Sequence, residues 1–212
     1  MREESKLRES DEKAENVNHK YLEKYFYDKL TKGFKKVDKK ELQILGIDSI
    51  FMLEDKIYLC DEKIAANFIN RNLKTFILEL SFINKSNKTQ TGWFLDEKKA
   101  NDSYLFCWID KAVCDKPQCA DEILEAQIAL VQKSKIVEYL DELGWSLPIL
   151  KLKDFNIREK GNTKFGDINK DKVEFVYSPK YVEKPICLKI TRQALLDISD
   201  YNSILKSNVT AN

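Results

Sequence analysis

Two β-forming runs, ILGIDSIFML (44–53) and KIYLCDEKIA (56–65), flank the dipeptide Glu54–Asp55, and they constrain the fold more than any other part of the chain. A two-residue loop at the dipeptide makes a hairpin whose facing positions sum to 109. Leu53 then faces Lys56, Met52 faces Ile57, Ile50 faces Leu59, and Asp48 faces Asp61. Sides alternate along a strand, so Met52, Ile50, Asp48, Ile57, Leu59, Asp61 and Lys63 share one face. A four-residue loop keeps this facing, a slip to a sum of 111 sets Asp48 opposite Lys63, and a three-residue loop breaks the pattern.

Two acids and a lysine therefore converge at the end of an otherwise apolar face. Carboxylates side by side repel, and burying one unpaired costs on the order of several kcal/mol. A divalent cation between them removes the repulsion, and Lys63 offsets part of the remaining charge. In TFILELSF (75–82), Glu79 sits mid-strand on the more polar face with Thr75, Ile77 and Ser81, and is a candidate third acid.

Around the hairpin, residues 1–10 are nearly all charged or polar and read as a disordered tail. From Asp11, the spacing of Ala14, Val17, Tyr21, Leu22, Tyr25, Phe26 and Leu30 predicts an amphipathic helix that ends before Gly33. Its polar side carries His19. GWF (92–94) and SYLFCWI (103–109) predict short strands, and residues 121–143 a helix with the stripe Leu124, Ile128, Val131, Val137 and Leu140, stopped at Gly144. KLKDFNI, KVEFVY and KPICLKI predict strands, and Thr191 a cap for a closing helix, RQALLDISDY. The fold class is α+β with a mixed, mainly antiparallel sheet flanked by helices: a core over 11–145 and an α/β extension over 146–212 packed on the same domain.

The 36 Lys+Arg nearly cancel the 35 Asp+Glu, which excludes a globally basic nucleic-acid binder. Along the chain they separate. Residues 41–145 hold 12 basic against 18 acidic side chains, residues 146–212 hold 12 against eight, and GFKKVDKK (33–40) holds four against one. An acidic centre with basic flanks suits a metal-dependent enzyme acting on a polyanion.

Asp48 in GID, followed by Asp61-Glu62-Lys63, resembles the motif of the PD-(D/E)xK nuclease superfamily, with Ile47 where the family label has Pro. The resemblance covers roughly residues 10–145. It implies a restriction-endonuclease-like core and Mg²⁺- or Mn²⁺-dependent hydrolysis of phosphodiester bonds in DNA. Asp48 and Asp61 would be metal ligands, with the backbone carbonyl of Glu62 as a further one, and Lys63 would stand beside the attacking water. Some members add a glutamate from the first helix, for which Glu15 and Glu23 are equal candidates. Lys35, Lys36, Lys39 and Lys40 would hold the nucleic-acid backbone, and Gln43 would touch substrate. The alternative is a catalytically inactive module of this fold that binds nucleic acid or a protein partner.

Other chemistries find little support. With one histidine, a Ser-His-Asp or Cys-His mechanism has a single candidate base. The five cysteines, at irregular spacing, match neither a disulfide framework nor a CxxC zinc site, and they predict a reducing, cytoplasmic compartment. No apolar run is long enough to cross a bilayer. No Gly-rich phosphate loop is present. Tyr104, Trp93 and Trp108 read as core or as base-stacking aromatics.

Overall fold

The structure, a computed structural model, describes residues 13–161 and 172–207. The expected tail, 1–10, lies outside the described residues. In chain order the elements are helix α1 (13–30), strand β1 (Lys32–Lys36), α2 (Lys40–Ile44), β2 (Ser49–Leu53), β3 (Lys56–Ile64), β4 (Thr75–Ile83), β5 (Thr89–Thr91) and β6 (Ser103–Ala112). There follow β7 (Ile123–Gln132), α3 (Lys133–Glu142), α4 (Leu147–Lys160), β8 (Val173–Tyr177), β9 (Ile186–Thr191), α5 (Arg192–Asp197) and β10 (Tyr201–Lys206).

The chain forms two units, each with its own sheet. Among the described residues the first comprises 13–73, 101–131 and 200–207, the second 74–100, 132–161 and 172–199. Neither is continuous, so the division does not follow the boundary at residue 145 expected from the sequence. Both units are α+β.

In the first unit the sheet order is β1-β2-β3-β6-β7-β10. β1/β2, β2/β3 and β7/β10 are antiparallel and β3/β6 is parallel, so the sheet is mixed. Helix α1 covers one face. Its Tyr21, Leu22, Tyr25, Phe26 and Tyr27 pack with Phe51, Tyr58, Cys60, Leu105, Cys107, Ile128 and Leu130. Three successive buried aromatics do not fit one stripe of a regular α-helix, in which each residue advances about 100°. A π-helical turn at Glu23–Tyr27 solves this by widening the helix locally, and all three face the sheet.

The second unit has the antiparallel sheet β5-β4-β9-β8. Helices α4 and α5 pack on β4 and β9. Thr191 caps α5 as the sequence predicts, its Oγ1 accepting from the Ala194 amide at 3.2 Å. At Gly92, which follows β5, the chain passes so close to β4 that an added Cβ would lie 2.5 Å from the Glu79 carbonyl oxygen.

Several sequence expectations need correction. The predicted helix 121–143 is broken up: after a 3-10 turn at Ala120–Glu122, Ile123–Gln132 is strand β7, and only Lys133–Glu142 is α-helical. Ile128, Ala129, Leu130 and Val131 are all buried, which marks a strand covered on both faces. Its apolar residues fall at helical spacing because nearly every position is apolar. The predicted strand KLKDFNI lies inside α4, which begins with Pro148 in its first turn and ends at Gly161 with φ 61°. GWF follows strand β5 instead of forming one. The closing helix stops at Asp197, and Tyr201–Lys206 returns to the first unit as β10 beside β7. No helix among the described residues is long and apolar enough to cross a membrane.

Candidate functional site

The β2–β3 hairpin adopts the two-residue loop. Glu54 and Asp55 take positive φ values of 48° and 62°, as a loop matched to strand twist requires. Leu53 pairs with Lys56, Met52 with Ile57, Ile50 with Leu59 and Ser49 with Cys60. The regular pairing stops there: the Asp48 amide donates to the carbonyl of Cys60, at 2.9 Å, one residue short of Asp61, so the register shifts where the two acids begin. The ladder extends outward on both sides. Val37 N–H donates to the Asp48 carbonyl at 2.8 Å, and Asp61 pairs with Tyr104 on β6. Val37 thus adjoins Asp48 on one side and Tyr104 adjoins Asp61 on the other, while Lys63, two residues on from Asp61 and on the same face of β3, pairs with Phe106.

The apolar residues on this face are not the core of the first unit. Phe51, Leu53, Tyr58 and Cys60, on the opposite face, meet α1. Ile57 is 63% exposed, and Ile50, Met52 and Leu59 are half-buried. Burial increases toward the acids: Asp48 is half-buried and Asp61 is 4% exposed.

Lys63 Nζ donates to Asp61 Oδ1 at 2.5 Å. The Glu62 amide donates to Asp48 Oδ2 at 2.9 Å. Burial pushes the Asp61 carboxyl up to about 7, Lys63 pulls against that shift, and the neighbouring Asp48 adds to it. Burial also raises the hydroxyl of Tyr104, with the Asp61 charge adding to the shift, so this group stays a protonated neighbour of the pair. The Cys60 thiol, between the acids in sequence but on the core face, is held well above its ordinary value by burial and is no nucleophile.

Behind the acids lies a second polar group that the sequence did not reveal. Glu62 points to the α1 side of the sheet, where its Oε1 accepts from the Tyr27 hydroxyl at 2.7 Å and its Oε2 lies 3.0 Å from His19 Nδ1. The Tyr27 hydroxyl also meets Ser49 Oγ at 2.9 Å. His19 is only 5% exposed, against the expectation of a polar-side position, because the Glu62 carboxylate rises from the sheet to meet it. The run Tyr25-Phe26-Tyr27 was the available signal, since no regular helix buries all three.

The other sequence candidates distribute unevenly. Lys35, Lys36, Lys39 and Lys40 are all exposed, the first two on edge strand β1 and the others where α2 begins. Gln43 uses its side-chain amide to hold the Val37 carbonyl at 2.9 Å. Glu15 and Glu23 are exposed on α1, which covers the opposite face from the acids. Glu79 stands on β4 of the second unit, paired with Cys187, and so belongs to a different sheet from Asp48 and Asp61. Tyr104 and Trp108 are almost fully buried and Trp93 half-buried.

Among the described residues no group of three or more His, Cys, Asp or Glu side chains gathers as a metal site. The Asp48–Asp61 pair suits a hard cation that takes few carboxylates and retains several waters, as Mg²⁺ does. The buried, repelling acids are also what a divalent charge would relieve. No protein-family model, no curated protein and no solved structure matches this chain.

Proposed function

We propose that the chain is a metal-dependent nuclease with a restriction-endonuclease-like core, hydrolysing phosphodiester bonds of DNA at the Asp48–Asp61–Lys63 cluster. The observation that carries the reading is the hydrogen bond from the Glu62 amide that holds the Asp48 carboxylate against β3 next to Asp61, with Lys63 bonded to Asp61 at 2.5 Å. The order helix, antiparallel hairpin, parallel neighbour strand supports it. Asp48 and Asp61 would hold Mg²⁺ or Mn²⁺, with the Glu62 carbonyl as the implied further ligand. Such an ion, when bound, polarises a phosphoryl oxygen and lowers the pKa of a coordinated water.

The chain's own groups supply the rest. Lys63 sets its Nζ beside Asp61, where it can orient an incoming water and stabilise negative charge that builds on the phosphoryl group. The exposed Lys35, Lys36, Lys39 and Lys40 offer phosphate contacts that position the strand without reading its sequence. All five cysteines are free, including the exposed Cys114 and Cys119, which fits a cytoplasmic setting.

Plasmid and single-stranded DNA incubated with Mg²⁺ or Mn²⁺ test the reading. Cleavage is expected in the wild type and absent in Asp61→Ala and Lys63→Ala; persistence in both variants defeats the assignment. The exposed lysines also support a second reading, a module that binds nucleic acid without cutting it. Salt-dependent binding with no cleavage under either metal would select that reading.

A further inference from the structure

We infer that Tyr27, acting with His19, Glu62 and Ser49, is the positioning element that fixes the separation of Asp48 and Asp61. The inference rests on the metal-site reading above and extends it to residues on the opposite face of the sheet.

One hydroxyl reaches the residue that follows each acid. Tyr27 meets Ser49, next to Asp48, at 2.9 Å, and Glu62, next to Asp61, at 2.7 Å. The phenol has a single proton, and the Glu62 carboxylate can only accept, so that proton goes to Glu62 and Ser49 donates to the phenol oxygen. The second Glu62 oxygen lies on His19 Nδ1 at 3.0 Å, which prevents the carboxylate from swinging away. The Glu62 amide, in turn, holds Asp48 Oδ2. The connections close a circuit from the Asp48 carboxylate through the Glu62 amide and side chain to Tyr27, Ser49 and the Asp48 backbone.

Packing makes this circuit rigid. The Tyr27 ring stacks on Phe34 of β1 at 4.1 Å with an interplanar angle of 12°, and it leans on Phe51 of β2 at 5.2 Å. The π-helical turn of α1 turns this side chain onto the sheet alongside Tyr25 and Phe26. A side-chain group that locks ligand-bearing strands from behind acts as outer-sphere partners of metal ligands do, and losing such a partner lowers metal affinity about 10- to 100-fold.

Mn²⁺ binding to the full-length chain, followed by calorimetry, tests the inference without recourse to activity. Tyr27→Phe removes the hydroxyl and keeps the ring, and Ser49→Ala removes the other hydroxyl, which keeps the test open if the first variant fails to fold. Unfolding in EDTA is followed in parallel. The expected result is Mn²⁺ affinity weakened about 10- to 100-fold in the folded variants. Variants that bind Mn²⁺ as tightly as the wild type, whatever their melting temperature, overturn the positioning role and leave the metal reading intact. A wild type that binds no Mn²⁺, or an Asp61→Ala variant that binds it equally well, overturns the metal reading and the positioning role together.

Discussion

The backbone amide of Glu62 donates to Asp48 Oδ2 at 2.9 Å, fastening one acid of the pair to the strand that bears the other. The same residue turns its carboxylate to the far side of the sheet, onto His19 and Tyr27. Glu62 therefore links the two faces: its backbone orients the acids and its side chain anchors the hairpin to α1. Since the contact to Asp48 is made by the backbone, it survives any replacement of the Glu62 side chain that leaves the strand in register.

The first prediction concerns pH and stability. Asp61 is pushed up to about 7, mainly by burial, from an ordinary value of 3.8. A carboxyl with a raised folded-state value stabilises the fold fully below its unfolded value and loses that contribution as pH rises through about 7. The metal-free wild type should lose stability between pH 4 and 8, up to a ceiling of about 4 kcal/mol from this group. Asp61→Asn should lose less over the same range. Urea denaturation at the two pH values measures both slopes, and equal slopes would contradict the assignment.

Lys63 and Asp48 act on Asp61 in opposite directions, and each can be removed. Lys63 holds the Asp61 value down, whereas Asp48 pushes it up. Lys63→Met should move the Asp61 titration to higher pH and Asp48→Asn to lower pH. Carboxyl ¹³C NMR of the metal-free protein resolves the two shifts. Movement in the same direction for both variants would mean that the side chains do not form the cluster described.

Under the proposed function, the basic edge predicts a salt effect. Lys35, Lys36, Lys39 and Lys40 are exposed around β1 and α2. Each phosphate contact contributes about 0.9 to the slope of log affinity against log salt on duplex DNA. Replacing all four by Ala should weaken binding without regard to sequence and flatten that slope by up to about 3.6. Fluorescence anisotropy across a salt series provides the measurement; an unchanged slope would place the nucleic-acid contacts elsewhere.

Local chemistry made the hairpin legible in the sequence. Alternation, the intervening dipeptide and the apolar flanks specify a register, and the observed pairs from Leu53–Lys56 to Ser49–Cys60 follow it. Sheet membership was not legible. TFILELSF is a strand, as its residues predict, but β4 pairs with β9 far along the chain, and nothing local tells Glu79 which sheet it joins. The run ILEAQIALVQ reads as a helix because an apolar strand buried on both faces satisfies the helical period as well. Pro148 and Gly161 bracket α4 and are the signals for it in the sequence. Tyr27 was hidden for another reason: the π-helical turn at Glu23–Tyr27 departs from the regular phase on which a helical projection depends, whereas His19, ahead of that turn, lies three residues before Leu22 and seven before Phe26 and so shares their buried stripe.

The last prediction tests the second unit, where Gly92 faces the backbone of β4. A Cβ at this position would lie 2.5 Å from the Glu79 carbonyl oxygen, 2.6 Å from its carbonyl carbon and 2.7 Å from its Cγ. Two of these three atoms are backbone, so a side-chain rotation cannot clear the contact. The backbone is also committed here: Gly92 N–H donates to the Leu80 carbonyl at 2.7 Å and Phe94 N–H to the Glu79 carbonyl at 3.1 Å. Gly92→Ala must therefore either break these bonds or push β4 away from its pairing with β9, at a cost of about 1–3 kcal/mol. Glu79→Ala, which removes only the Cγ contact, should relieve little of the damage when combined with Gly92→Ala. Melting temperatures of the two single variants and the double variant decide the matter: near-complete recovery in the double variant would show that the side chain, not the backbone, demands glycine.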